Sequence, residues 1–440
     1  GRRPNFLFIM ADDLGWADLS CYGRRDYATP VLDRLAAEGV RFTDGYANSP
    51  VCSPTRVALI TGRYQYRLRE GLEEPLGGPD LGLDPAHPTL PSLLRARGYR
   101  TALVGKWHLG PLPNHGPLQS GYDEFWGNRG GGLDYFTHQA GGQRDVWDGD
   151  VPVEAAGYYT DLLTDRAIGF IEARTGQPEP WLLSMHLTAP HWPWQGNNAQ
   201  GRAESARIAA GGSRDIQAIA HYDGGTMQAY GDLVTSMDAN IGRLLARLEA
   251  LGMAQDTVVV FTSDNGGERF SDTWPFTGMK TELLEGGIRV PLIVRWPGVA
   301  VPGTVSDSPV LSMDVLPTLL AAAGGAPHPD YPSDGIDVRP ALAGAGLPAR
   351  DLFWRYRSKG QRALRRGAYK YLAINGVEFL FDLAQDPRER GNLKDRLPDT
   401  FVALKAAWER WNAAMLPYPD DARSFGWTPA LMPDRFDPAP

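Results

Sequence analysis

Cys52 opens the stretch CSPTR, two residues ahead of Pro54 and four ahead of Arg56, and an apolar run from Val57 to Ile60 follows that reads as a helix. Pro54 suits the first position of that helix, so the cysteine falls just before an N-terminus. Unpaired N–H groups and the helix dipole favour anions there. Two chemistries fit. One is a small buried residue beside a capped helix; the other is a reactive thiolate, its pKa lowered by the dipole and by Arg56.

The remaining candidates all stand directly after apolar runs. Asp12 and Asp13 follow NFLFIM, Lys106 and His108 follow TALVG, His191 follows WLLSMHL, and Asp264 and Asn265 follow TVVVFT. Taken one at a time, an Asp-Asp or Asp-Asn-Gly-Gly stretch is a turn or a helix cap. Together they offer three carboxylates and an amide oxygen without a cysteine or histidine cluster. That set suits a hard divalent cation, Ca²⁺ or Mg²⁺, better than zinc.

These groups converge only if the runs are strands of one sheet. NFLFIM, TALVG, WLLSMHL, TVVVFT and PLIVRW are apolar throughout and bounded by Gly, Pro or Asp, as buried parallel strands are. Helical patterns lie between them. The longest runs from Thr226 to a stop at Gly252, with Met227, Tyr230, Val234, Met237, Ile241, Leu244, Leu245, Leu248 and Leu251 on one face. A second begins with Thr160 as its cap and ends near Gly176. Alternating strands and helices imply an α/β fold, a mostly parallel sheet covered on both faces, in which ligands bind beyond the carboxyl ends of the strands. From Leu347 the pattern changes to DLFWRYR, AYKYLAI and EFLFDL, followed by the helical TFVALKAAWERWNAAM. Residues 1–346 therefore read as a catalytic domain and 347–440 as a smaller domain of antiparallel sheet plus helix, joined through the linker RPALAGAGLPAR.

At 440 residues the chain exceeds the size at which one core stops growing. Lys+Arg of 44 against Asp+Glu of 52 gives a net charge of -8, and basic residues do not cluster with aromatics, which argues against nucleic acid as a partner. Two cysteines, Cys21 and Cys52, make no disulfide framework. The apolar runs are far short of the ~20 residues of a membrane span. The opening GRRPNFLFIM lacks the long apolar stretch of a signal peptide. A removed peptide would place the protein in a periplasm or outside the cell, and otherwise it is cytoplasmic, so the compartment stays open.

CSPTR followed by TGRY resembles the CxPxR signature of the type I, formylglycine-dependent sulfatases, arylsulfatase-like members of the alkaline phosphatase superfamily. FIMADDLGWADLSCYG, VGKWHLG, TAPHWPW, FTSDNGG and TGMKTELLEGGIRVP are similar to the family's other motifs and occur in its order between Asn5 and Pro297. The resemblance implies an alkaline-phosphatase-like sheet with a smaller carboxyl-terminal sheet domain. It also implies that Cys52 is converted to formylglycine by a formylglycine-generating enzyme, and that Ca²⁺ or Mg²⁺ is held by Asp12, Asp13, Asp264 and Asn265 with residue 52 as a further ligand. Arg56 would orient the modified residue, Lys106 and Lys280 would bind the sulfate oxygens, and His191, with Lys280, would protonate the leaving oxygen. His108 would deprotonate the aldehyde hydrate so that sulfate departs and the aldehyde is restored.

The function so implied is hydrolysis of aryl or carbohydrate sulfate monoesters to alcohol and sulfate. Trp107, Trp192, Trp194, Tyr135, Phe136, Trp274 and Phe276 flank the motifs as candidate walls for an aromatic ring or a sugar face, and His138 as a substrate contact. Two alternatives share the residues: a phosphonate monoester or phosphodiester hydrolase, and a non-catalytic protein that captures sulfated glycans. Lys106, Lys280 and His191 match the sulfatase pattern and argue against the first. The intact set of nucleophile, metal ligands and acid argues against the second.

Overall fold

The computed structural model describes residues 3–211 and 220–435. Its largest sheet has ten strands, in chain order β1 (Asn5–Ala11), β2 (Val40–Phe42), β3 (Arg100–Lys106), β4 (Glu124–Asn128), β5 (Trp147–Asp148), β6 (Val151–Pro152), β7 (Trp181–His186), β8 (Thr257–Ser263), β9 (Leu292–Arg295) and β10 (Thr304–Ser306). They lie in the order β10-β2-β9-β8-β1-β7-β3-β4-β5-β6. The central strands β8, β1, β7, β3 and β4 pair in parallel. All seven residues of β1 are buried, which is why its sequence is apolar without alternation. PLIVRW, expected among the parallel strands, forms β9, which runs antiparallel to β8. The 28 residues between Ser263 and Leu292 hold a single helical turn, Glu285–Ile288, too little helix to carry a parallel crossover.

Helices cover both faces. On one side α1 (Pro30–Ala37), α3 (Tyr159–Ala173) and α4 (Met227–Ala250) pack on Leu7, Ile9, Leu183, Met185, Val259 and Phe261. On the other, α2 (Cys52–Thr61) and α5 (Val315–Ala322) meet Phe6, Phe8, Leu103, Leu182 and Val260. The Thr226 hydroxyl caps α4 by accepting from the Ala229 N–H at 3.0 Å. Met227 does not join the buried face, being 52% exposed in the first turn. Thr160 does not cap α3 either: Tyr158 holds the cap position and Thr160 is already helical, its chain buried.

Asp351–Tyr356 (β11), Gln361–Arg366 (β12), Tyr369–Ile374 (β13) and Val377–Asp382 (β14) form a four-stranded antiparallel sheet. β12 escapes the sequence pattern because QRALRR carries three arginines and little alternation. One face packs on α6 (Pro398–Ala413) through Leu364, Tyr371, Leu404 and Trp408. The other shares a core with Val51, Ala58, Leu283 and Ile288 of the main body. Within RPALAGAGLPAR, Arg339–Leu342 form one helical turn.

α2 therefore lies between two sheets, and each of its ten residues is buried. A buried ion cluster closes the same seam: Lys370 on β13 lies 2.9 Å from Glu285 and 2.9 Å from Glu389. Removing that ammonium leaves Glu389 without its cation and Glu285 with Arg289 alone, in a medium that solvates carboxylates poorly. Lys370→Met is expected to lower unfolding free energy by about 3–5 kcal/mol in chemical denaturation, and an unchanged midpoint would show the cluster to be dispensable.

Candidate active site

The carboxyl ends of β1, β3, β7 and β8 bring the expected groups together around the N-terminus of α2. Asp12 and Asp13 leave β1, and Asp264 and Asn265 leave β8 beside them. The Asp264 N–H donates to the Ala11 carbonyl at 3.2 Å, and the Asp13 N–H donates to Asp264 Oδ1 at 3.1 Å. Asp13 turns out of the strand with φ 63° and His108 does the same after β3 with φ 55°. Left-handed backbone at two non-glycine residues is held strain, of the kind found where side chains must be aimed.

Charge is balanced pairwise. Lys106 Nζ donates to Asp12 Oδ2 at 2.6 Å, Lys280 Nζ to Asp13 Oδ2 at 2.8 Å, and Arg56 to Asp264 Oδ2 at 2.9 Å. Arg56 also donates to the Lys106 carbonyl at 3.3 Å, which ties α2 to the end of β3. All these groups are buried. Burial, and then the charge of Asp264, raises the Asp12 pKa well above the carboxylate range. For Asp264 burial acts upward too, but Arg56 and Lys106 outweigh it and the pKa falls. Burial works against the Lys280 ammonium, yet Asp13 holds its pKa above the ordinary lysine value.

The two histidines are fixed by backbone carbonyls that assign their ring protons. His108 Nε2–H donates to the Leu76 carbonyl at 3.0 Å, which leaves Nδ1 as the free nitrogen, 3.3 Å from Cys52 Sγ. His191 Nδ1–H donates to the Trp192 carbonyl at 2.6 Å, and its Nε2 lies 3.8 Å from Asp13 Oδ2. Both are driven toward the neutral form, first by burial and then by nearby lysines.

Asp12, Asp13 and His191 each offer a ligand atom, all within 4.8 Å of one another. Asp12 Oδ1 and Asn265 Oδ1 are buried with no hydrogen-bond partner among the described residues. Unpartnered, buried, oxygen-only acceptors beside three carboxylates fit a hard cation. Asn265 Nδ2 faces the other way and donates to Asp13 Oδ1 at 2.8 Å.

A cavity of about 470 Å³ opens over Cys52, His108, His191 and Lys280. Of the aromatic residues expected in its wall only Trp192 lines it. Trp107, Trp194 and Tyr135 are core, Phe136 packs against the core, Phe276 packs on Trp16, and Trp274 is 61% exposed. His138 lies outside the lining, its Nε2–H donated to the Gly157 carbonyl at 2.8 Å. The wall is completed by Tyr222, Phe425, Trp427 and Glu268, none of which the sequence reading singled out. Phe425 and Trp427 come from the tail after α6, where no periodic pattern points back at the site. The floor is the run Gly130–Gly132, a signal that was present in the sequence. A Cβ on Gly131 would fall 3.0 Å from His108 Cε1 and one on Gly132 would fall 2.9 Å from His191 Cε1.

Parallel strands that deliver carboxylates, lysines and a helix N-terminus to one closed site define a hydrolase of anionic esters with an alkaline-phosphatase-like fold. Residues 4–326 match the family model described as Sulfatase. The chain is 33% identical over 401 residues to the N-acetylgalactosamine-6-sulfatase of Canis lupus familiaris, covering 84% of this chain and 71% of that protein. It is 32% identical over 536 residues to the steryl-sulfatase of Mus musculus, covering 98% and 86%. The crystal structure of Ps i-CgsB in complex with k-i-k-neocarrahexaose superposes with a TM-score of 0.85 at 28% identity, covering 95% of this chain and 94% of that one. The chain belongs to the sulfatase family, and its activity is that of a sulfuric ester hydrolase.

Because a methyl at residue 132 has to displace the His191 ring, Gly132→Ala is expected to lower kcat by about 10- to 100-fold while thermal stability changes little. Unchanged kcat would show that the ring tolerates the shift.

Proposed function

We propose that this sulfatase hydrolyses sulfate monoesters of carbohydrate or aryl alcohols, with residue 52, converted from cysteine to formylglycine, as the nucleophile. The observation that carries the reading is the position of Cys52: first residue of α2, over the cavity, with His108 Nδ1 at 3.3 Å and Lys280 and His191 on the same wall. The relatives' names support the substrate class, since they describe enzymes for an amino-sugar sulfate and for steryl sulfates, and the structural neighbour was solved with an oligosaccharide bound.

The aldehyde hydrate supplies a hydroxyl nucleophile that a thiol does not. Asp12, Asp13, Asp264 and Asn265, with residue 52, are the groups to hold a divalent cation, Ca²⁺ or Mg²⁺. Such a cation lowers the pKa of a bound hydroxyl and neutralises charge on sulfate oxygens. Lys106 and Lys280 add positive charge where the sulfuryl oxygens gather it, and being buried they act undiluted by water. Arg56, locked between Asp264 and the Lys106 carbonyl, fixes the head of α2 and hence residue 52. His191, in the protonated form that a bound anionic ester favours over the neutral form of the free site, is the acid for the leaving oxygen, with Lys280 beside it, and His108 Nδ1 is the base that takes a proton from residue 52. Since every residue of α2 is buried, conversion of Cys52 by a formylglycine-generating enzyme has to precede folding.

Cys52→Ala is expected to abolish turnover with the fold intact, because the side chain contributes little packing. Peptide mass analysis of active wild-type protein should find residue 52 as the aldehyde or its hydrate. Full activity from protein whose Cys52 is a free thiol would contradict the mechanism.

Acid help matters most when the leaving group is poor. His191→Ala should cost about 10²–10⁴-fold on sugar or alkyl sulfates and much less on nitrophenyl sulfate, whose phenolate departs unaided. Equal losses on both would move the acid role away from His191.

A further inference from the structure

Glu268 plays no part in that mechanism, yet it lines the cavity and is 5% exposed. Its Oε1 accepts from Arg269 Nε at 2.5 Å, while Oε2 is buried without a hydrogen-bond partner among the described residues. Neither neighbouring cation donates to it. Arg269 turns Nη1 to the His221 carbonyl at 3.0 Å and Nη2 to the Ala220 carbonyl at 2.6 Å. Its guanidinium is also sandwiched among rings, 4.4 Å from the centroid of Trp194 and 5.1 Å from those of Tyr222 and Trp427. Lys280 is engaged with Asp13 at 2.8 Å.

An acceptor left unpaired in a buried wall is costly, and a ligand that brings the donor regains that loss. Away from His108, His191 and Lys280 the lining is mostly apolar and carries four aromatic rings, Trp192, Tyr222, Phe425 and Trp427. Such faces pack against the C–H side of a sugar ring as well as against an aryl ring, but a simple aryl ester has no hydroxyl to offer. A second anionic group near Glu268 would meet a carboxylate in a poorly solvating site.

Resting on the sulfatase reading above, we infer that Glu268 and this aromatic wall form a leaving-group pocket for a neutral, monosulfated sugar, one free hydroxyl of which donates to Glu268 Oε2. The cavity of about 470 Å³ is within the ordinary size range of small-molecule sites. Glu268 is thus a specificity residue, selecting hydroxyl-bearing alcohols and rejecting sugars that carry a further sulfate or carboxylate near it.

The test measures kcat/KM for nitrophenyl sulfate and a panel of monosulfated monosaccharides, and then for the best sugar with each free hydroxyl removed in turn. Removal of one particular hydroxyl should lower kcat/KM by about 10- to 100-fold in the wild type. Glu268→Gln keeps the bond to Arg269 and turns an amide N–H toward the pocket. In it the same removal should cost nothing further, and a disulfated sugar should gain relative to its monosulfated parent. Glu268→Ala repeats the comparison if the glutamine variant fails to fold. The inference is overturned if no single hydroxyl matters, if the loss persists in both variants, or if nitrophenyl sulfate is cleaved and every sugar sulfate is refused. That last result leaves the sulfatase reading standing, whereas failure to cleave any sulfate ester removes the reading itself.

Discussion

Three carboxylates share one buried pocket with two lysines and an arginine, and the rest of the molecule is arranged around the need to keep them there. Asp12, Asp13 and Asp264 lie at the ends of adjacent strands, close enough for an Asp264 oxygen to accept the Asp13 N–H. In a poorly solvating interior, like charges so placed repel strongly and unpaired ones are costly. Lys106, Lys280 and Arg56 each take one carboxylate. Even so, burial and Asp264 raise the Asp12 pKa, and Asp12 Oδ1 and Asn265 Oδ1 have no hydrogen-bond partner among the described residues. The deficit is one of partners for oxygen, since the charges themselves balance. A divalent cation would fill it, and the positive charge it adds to a balanced site would hold an anionic ester.

The parallel sheet is what makes the gathering possible. Strands β1, β3, β7 and β8 point the same way, so residues far apart in sequence leave the sheet at one edge. The second sheet has a different task. It presses α2 against the main body, and the Lys370 cluster with Glu285 and Glu389 keeps the seam shut. Cys52, on a helix buried along its whole length, has little freedom to move. Its exclusion of water strengthens every charge interaction around it.

Several of the candidate site residues were legible because they stand at the end of an apolar run, and strand-end position is a property of local sequence. Asp12, Lys106 and Asp264 have that signature, His191 comes four residues after its run, and the roles of Cys52, Arg56 and Lys280 were reached only through the resemblance of CSPTR and TGMKTELLEGGIRVP to family motifs. The walls of the cavity were not legible. Trp107 stands between Lys106 and His108 and Trp194 three residues after His191, but their side chains turn into the core. Phe425 and Trp427 arrive from a tail whose course is set by tertiary contacts, including the Phe425 N–H donated to the Glu74 carbonyl at 2.7 Å. The antiparallel sense of β9 was lost for a related reason: apolar content marks burial on both faces and carries no direction. Thr160 as a cap failed because the turn before α3 places Tyr158 at the boundary instead.

The central claim, that the buried carboxylates need a divalent cation, is tested most directly by calorimetric titration of metal-stripped protein. Wild-type protein should bind about one Ca²⁺ or Mg²⁺ per chain, and Asp264→Asn should lose that binding while keeping its folded circular dichroism. A wild-type protein that binds no divalent cation, or an Asp264→Asn protein that binds it unchanged, would contradict the account.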